Sequence, residues 1–265
     1  MSGLEPASAL ALATGAAREA GALLLELRRR PPAGVRSKSS ATDLVSDADE
    51  RAERAIVTRI RAERADDAIV AEEGSEVSGG SGISWYVDPL DGTINYLYGI
   101  PHWSVAICCA DERGPLAGVV YDPLRDELFS AAAGQGARLG DRRLAVSDQR
   151  NLAAALVATG FGYSAAQRRT QGRIIAGVLG EVRDIRRFGS AALDLAWVAA
   201  GRFDGFFESV DKPWDWLAGA LLVREAGGRV TELAPMDPAL PRVIASGAGI
   251  HDALVALLAR ATASL

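Results

Sequence analysis

The sequence predicts an α+β fold built in layers, and three observations predict it. The chain has 265 residues, 49% of them hydrophobic, enough for a sizeable core. Residues 1–150 open with two helical stretches and continue as strands and tight turns, which reads as two helices over a mainly antiparallel sheet. Residues 151–265 alternate strand and helix, which reads as a mixed α/β sheet. No low-complexity linker or internal repeat intervenes. The chain is therefore read as a single domain, 1–265, with an N-terminal half, 1–150, and a C-terminal half, 151–265.

Each element has a local reason. Residues 5–30 are rich in Ala, Leu, Glu and Arg and predict a long helix ended by Pro31-Pro32. Residues 33–45 form a polar loop carrying Lys38, Ser39, Ser40 and Asp43. Ser46 is an N-cap, and Asp47, Asp49 and Glu50 suit the first turn of a second helix, 46–64. A short strand, 69–71, delivers Glu72-Glu73 at its end. Residues 77–84 are Gly/Ser-rich and read as a mobile, exposed loop. Trp85, Tyr86 and Val87 are strand formers. They lead into Asp88-Pro89-Leu90-Asp91-Gly92-Thr93-Ile94-Asn95, a strand end, a tight turn and a helix start. Strands follow at 103–110, 116–121 and 127–132, with Gly134, Gly136 and Gly140 marking further hairpin structure. The second half reads as strand 155–158, helix 165–178, strand 182–186, helix 190–200, strand 203–208 and helix 214–226. Gly227-Gly228 closes that helix. Strands 229–231 and 243–245 and a last helix, 250–260, complete the chain.

Composition excludes several function classes. The net charge of −5 gives no electrostatic reason to expect nucleic acid. Cys108 and Cys109 are adjacent in an apolar run. They form no disulfide framework, fit a reduced cytoplasmic setting, and as strand residues would face opposite sides. His102 and His251 are too few for a histidine-rich zinc site or a histidine mechanism. Nothing resembles a membrane span of about 20 apolar residues, and no basic segment opens a signal peptide.

The chemistry gathers on acids. Asp88 and Asp91 sit at one strand end, Glu72 and Glu73 at another, and Asp215 opens a helix in Lys212-Pro213-Trp214-Asp215-Trp216. Singly, each has a plain structural reading. Asp-Pro and Asp-Gly are ordinary turn dipeptides, and Asp215 suits a helix first turn. Jointly they supply oxygen ligands for two or three Mg²⁺ ions, which makes 1–150 the main metal-binding half. Such ions neutralise a phosphate ester, acidify a bound water and stabilise the leaving alkoxide. Thr93 can orient that water, and the Gly92 and Thr93 amides suit phosphate oxygens. No Ser/His or Cys/His nucleophile is evident.

The same residues resemble the inositol monophosphatase family, in its bacterial branch, within the lithium-sensitive Mg²⁺-dependent phosphatases. Glu72-Glu73-Gly74 and the 88–95 run resemble the family's metal-site signatures. Trp214-Asp215-Trp216-Leu217-Ala218-Gly219 resembles its Trp-Asp motif, with Trp216-Leu217 bulkier than usual. Lys38 followed by Asp43-Leu44-Val45 and Asp49 is similar to its N-terminal segment. Arg186-Arg187-Phe188-Gly189-Ser190-Ala191-Ala192-Leu193-Asp194 and Gly201-Arg202-Phe203-Asp204-Gly205-Phe206-Phe207-Glu208 resemble the bacterial branch. The resemblance covers nearly the whole chain and implies an αβαβα sandwich and a homodimer. It implies Glu72, Asp88 and the Leu90 carbonyl at a first ion, and Asp88, Asp91 and Asp215 at a second. Thr93 with Asp49 would orient the water, and Glu73 would stand beside them in the catalytic set. Gly92 and Thr93 would hold phosphate. Arg186, Ala191, Glu208 and Asp91 would line the alcohol pocket, and Lys38 would lie on a loop over it.

The resemblance implies hydrolysis of myo-inositol monophosphate. Other esters of the same chemistry stay open: histidinol phosphate, fructose bisphosphate, NADP(H) and 3′-phosphoadenosine nucleotides. So does a non-enzymatic regulatory protein on this scaffold. Asp-Gly-Thr also occurs in haloacid-dehalogenase-type phosphatases, but there one residue separates the two acids, whereas two separate Asp88 from Asp91.

Overall fold

The structure, a computed structural model, describes residues 4–29, 33–37, 44–234 and 237–263. Lys38, Asp43 and the Pro31-Pro32 pair lie outside the described residues. In chain order the elements are α1 (Pro6–Leu27), β1 (Arg36–Ser37), β2 (Leu44–Val45), α2 (Asp47–Glu63), β3 (Ala68–Ala71), β4 (Glu76–Val77), β5 (Ser84–Asp91), α3 (Thr93–Leu97), β6 (Ser104–Asp111), β7 (Gly114–Asp122), β8 (Glu127–Ala132), β9 (Gly136–Leu139), β10 (Arg142–Arg143), β11 (Leu156–Thr159), α4 (Ala165–Leu179), β12 (Asp184–Arg186), α5 (Ala191–Ala199), β13 (Gly205–Glu208), α6 (Pro213–Glu225), β14 (Arg229–Glu232), β15 (Val243–Ser246) and α7 (His251–Ala263).

Two large sheets carry the architecture. The first has eight strands in the order β10-β9-β8-β7-β6-β5-β3-β4, antiparallel except where β3 runs parallel to β5. The second has five strands in the order β12-β11-β13-β15-β14, with β11 parallel to β12 and β13. Helices α1 and α2 cover one face of the first sheet over a core that includes Leu24, Ile56, Ile60, Trp85 and Ile107. Helices α5 and α6 fill the space between the sheets, with Leu193, Leu195, Leu222, Phe129 and Phe206 at their centre. Helices α4 and α7 pack together outside the second sheet, on Val157, Phe207 and Leu257. The order is helix, sheet, helix, sheet, helix, the αβαβα sandwich expected.

Local chemistry explains the elements that position the site. Helix α2 starts at a capping box. Ser46 Oγ accepts the Ala48 N–H at 3.3 Å, and the Ser46 N–H donates to Asp49 Oδ2 at 2.9 Å. The start of β5 is anchored by buried Trp85, whose Nε1–H donates to Asp67 at 2.9 Å, while Arg64 grips the same carboxylate at 2.8 and 2.9 Å.

Two expectations need correction. Helix α1 ends at Leu27, three residues before position 30. Arg28 is its C-cap, and its guanidinium turns away to donate to Gly99 O at 2.7 Å. The 77–84 segment is exposed at 78–80 but not loose. The Gly80 and Ser81 amides both donate to Asp66 O, at 3.0 and 3.2 Å, and Ser81 Oγ donates to Asp67 Oδ1 at 2.7 Å. No described helix is long and apolar enough to cross a membrane.

Candidate functional site

Strand β5 builds the centre of the site through an irregularity in its pairing. Asp88 lies opposite Ala106 and Asp91 opposite Ser104, so three steps along β5 match two along β6. In a regular strand, residues three apart face opposite sides. The extra residue in Pro89-Leu90 undoes that alternation and lets both acids serve one site. Asp88 is 2% exposed and accepts the Leu90 N–H at 3.0 Å. Gly92 then takes a left-handed φ of 95°. A Cβ there would stand 3.1 Å from His102 O and 3.2 Å from Gly189 O, so the turn threads a gap that suits glycine alone. Helix α3, only five residues long, begins at Thr93. The Gly92 and Thr93 amides therefore have no long helix dipole behind them.

The other acids arrive from four elements. Glu72 follows β3, and its N–H donates to Val87 O at 3.1 Å, which seats it beside Asp88. Asp215 lies in the first turn of α6. Asp49, in the first turn of α2, is buried, and Thr93 Oγ1 lies 3.0 Å from its Oδ1 and 3.1 Å from Leu90 O. Glu208 ends β13 against Gly160, where a methyl group would overlap its carboxylate. Asp91 is held by the start of α5: its Oδ2 accepts Ser190 Oγ–H at 2.6 Å and the Ala192 N–H at 2.8 Å, beside Ala191. The site therefore ties the first sheet to the helix that begins the inner layer.

Electrostatics binds these acids into one unit. Burial pushes the Asp88 carboxyl well above the carboxylate range, and the charges of Glu72, Asp91 and Asp215 push it further. Asp215 is likewise raised well above that range, by burial and then by Glu72, Asp91 and Glu208. Burial brings Asp91 up to about 6, with the Ser190 and Ala192 bonds holding it back. Asp49 is raised by burial, and its bonds to Ser46 and Thr93 oppose the rise. Among the described residues no three acids are already gathered into a ligand shell. A side-chain hydrogen bond links Asp88 to Glu72 and adds to the rise of the Asp88 carboxyl. The donor set fits a hard divalent cation: buried carboxylates that raise one another's pKa gain most from such a charge, and oxygen is its preferred ligand.

The expected site residues separate under this geometry. Glu72, Asp88, Asp91, Thr93, Asp49 and Asp215 are brought together, with Leu90, Gly92, Ala191 and Glu208 around them. The charge of Glu72, in the turn after β3, is felt at Asp49, Asp88, Asp91 and Asp215. Arg186 Nη1 donates to Asp184 Oδ2 at 2.5 Å and to Ile185 O at 2.9 Å. Its neighbour Arg187 supplies the positive charge near Glu208 and Asp194, and lies over the Phe161 ring at 5.9 Å. Lys38 lies outside the described residues. The sequence reading also passed over Asn95 as a tie. Its Nδ2 donates to His102 O and to Phe188 O, each at 2.7 Å, fastening the turn after β5 to the Arg187-bearing loop.

Comparison with known proteins agrees along the chain. Residues 5–264 match the family model described as "Inositol monophosphatase family". The chain is 45% identical over 225 residues to the Nus factor SuhB of Escherichia coli, covering 84% of each. Among solved structures it is similar to the extragenic suppressor protein suhB from Bartonella henselae, with 40% identity, a TM-score of 0.88 and coverage of 95% of this chain and 98% of that one. It is also similar to the inositol monophosphatase from Anabaena (Nostoc) sp. PCC 7120, with 37% identity, a TM-score of 0.82 and 96% of both chains covered.

Proposed function

We propose, for a chain that belongs to the inositol monophosphatase family, hydrolysis of a phosphate monoester by direct attack of water, with myo-inositol monophosphate as the preferred substrate. The observation that carries the reading is the set of mutually repelling acids around buried Asp88, namely Glu72, Asp91 and Asp215, with the Thr93–Asp49 pair at its edge. Glu72, Asp88 and the Leu90 carbonyl would hold one Mg²⁺, and Asp88, Asp91 and Asp215 a second, with Glu72 sharing a weaker third. Bound there, Mg²⁺ supplies charge neutralisation, a more acidic water and a stabilised leaving oxygen.

The chain's own groups do the rest. Asp49, fixed by Ser46 Oγ at 2.6 Å, accepts the Thr93 hydroxyl proton. That leaves the Thr93 Oγ1 lone pairs free to accept from the attacking water, and so to aim it. The Gly92 and Thr93 amides donate to phosphate oxygens. Glu208 accepts hydroxyl protons of the alcohol, and Ala191 closes that wall without bulk.

The test is turnover of a panel of esters with Mg²⁺: inositol 1- and 4-phosphates, histidinol phosphate, fructose bisphosphate, NADP(H) and 3′-phosphoadenosine nucleotides. Hydrolysis of the inositol phosphates is expected, inhibited by millimolar LiCl. Failure with both inositol esters would sink the preferred substrate, and failure with every ester the chemistry. A regulatory role is the second reading, because similar proteins bear the name Nus factor. A protein that never stabilises with Mg²⁺ and hydrolyses nothing would favour it. We also propose that the chain forms a homodimer, which its mass in solution tests.

A further inference from the structure

Helix α2 turns more than one acid toward the site. Asp49 and Glu53 are four residues apart, so they share a face of the helix. Asp49 reaches Thr93. Glu53 is 3% exposed, and both its oxygens are spent on backbone. Its Oε2 accepts the Glu73 N–H at 2.6 Å, and its Oε1 accepts the Ser75 N–H at 3.0 Å.

Those two bonds close the turn that presents Glu72. Of the turn's own backbone bonds, Glu76 N–H to Gly74 O is 2.9 Å, but the two that close it on Ala71 are long: Gly74 N–H to Ala71 O at 3.4 Å and Ala71 N–H to Ser75 O at 3.3 Å. Gly74 and Glu76 are exposed, and Gly74 has a φ of 103°, so little packing holds the turn from outside. The shortest of these contacts comes from the carboxylate, and charge-assisted bonds are roughly twice as strong as neutral ones. On the inner side, the Glu72 N–H is fixed to β5.

We propose that Glu53 is a positioning residue: it clamps the Glu73–Ser75 backbone and so sets where the Glu72 carboxylate stands beside Asp88. This inference rests on the phosphatase reading only for what Glu72 then holds, a divalent cation. A glutamine at position 53 keeps one acceptor oxygen and turns an NH₂ donor against the other N–H. The turn then loosens, and the cation affinity of Glu72 falls, while the rest of the site stays in place.

The experiment is a Mg²⁺ titration of thermal stability for the full chain and for Glu53→Gln, with steady-state kinetics across the same concentrations. The Mg²⁺ concentration giving half-maximal stabilisation should rise about 10- to 100-fold, the range of outer-sphere substitutions, with kcat at saturating Mg²⁺ little changed. A merely structural glutamate would lower the midpoint without Mg²⁺ but leave the half-saturation unmoved, and that result would overturn the proposal. Should Glu53→Gln not fold, amide hydrogen exchange of the unaltered protein decides instead. Slow exchange at both Glu73 and Ser75 supports the clamp, and fast exchange at either overturns it. If the unaltered protein shows no Mg²⁺ stabilisation, the cation reading fails, and the exchange measurement still judges the clamp.

Discussion

Replacing Glu208 with glutamine should make the metal-free protein more stable at neutral pH. Burial raises the Glu208 carboxyl from 4.5 to about 7, with the Arg187 guanidinium opposing the rise and Asp91 adding to it. Below pH 4.5 the group is protonated in folded and unfolded chains alike and costs nothing. Between 4.5 and about 7 the folded chain keeps a proton that the unfolded chain has released, so stability falls as pH rises. Above about 7 the full cost is in force. At 1.36 kcal/mol per pKa unit it is about 3 kcal/mol. Glutamine carries no such cost. Urea denaturation in chelator, from about pH 4.5 to about pH 8.5, should show the two proteins diverging by about that amount, the variant ahead at the alkaline end. A difference that stays flat across the window would refute the burial argument. The same substitution should cost activity, because a hydrogen bond to a charged acceptor contributes about 1.5–3 kcal/mol. A fall in kcat/KM of roughly ten- to hundredfold follows.

The other acids extend the argument. Asp88→Asn and Asp215→Asn should each stabilise the metal-free protein above the ordinary carboxylate pKa, since both groups are raised well above it, yet lower Mg²⁺-dependent turnover by more than about 100-fold. Thermal scans in chelator and steady-state rates read the two effects separately. Thr93→Ala should lower kcat by about 10²- to 10⁴-fold, and Thr93→Ser should recover most of it, because the hydroxyl that meets Asp49 returns. Gly160→Ala places a methyl against the Glu208 carboxylate, the movable end of a flexible side chain. Stability should change by less than about 1 kcal/mol, while KM rises about tenfold as Glu208 is displaced.

Much of this protein was legible because its signals are local. The Ser46–Asp49 cap, the strand formers before Asp88 and the Pro213 start of α6 all act within a few residues, and the elements they predict appear where expected. What could not be read depends on distant partners. The irregularity between Asp88 and Asp91 exists only in register with β6. Glu53 looks like any helix acid until its partners, 20 and 22 residues away, are in place. Arg186 and Arg187 are adjacent, and strand β12 is three residues of uniform partial burial. No hydrophobic alternation tells which arginine faces Glu208.

Strand β6 also carries two neighbouring thiols with different company. Cys109 lies in the core under α1 and α2, and Cys108 in the core that α5 and α6 fill. Burial pushes the Cys108 thiol up to about 12 and the Cys109 thiol higher still, so neither reacts while its cover is closed. A thiol reagent therefore reaches Cys109 only when the outer helical layer lifts, and Cys108 only when the inner one does. One dipeptide thus holds two clocks, one for each side of the sheet, and the labelling rates of adjacent residues record which side of the molecule opens first.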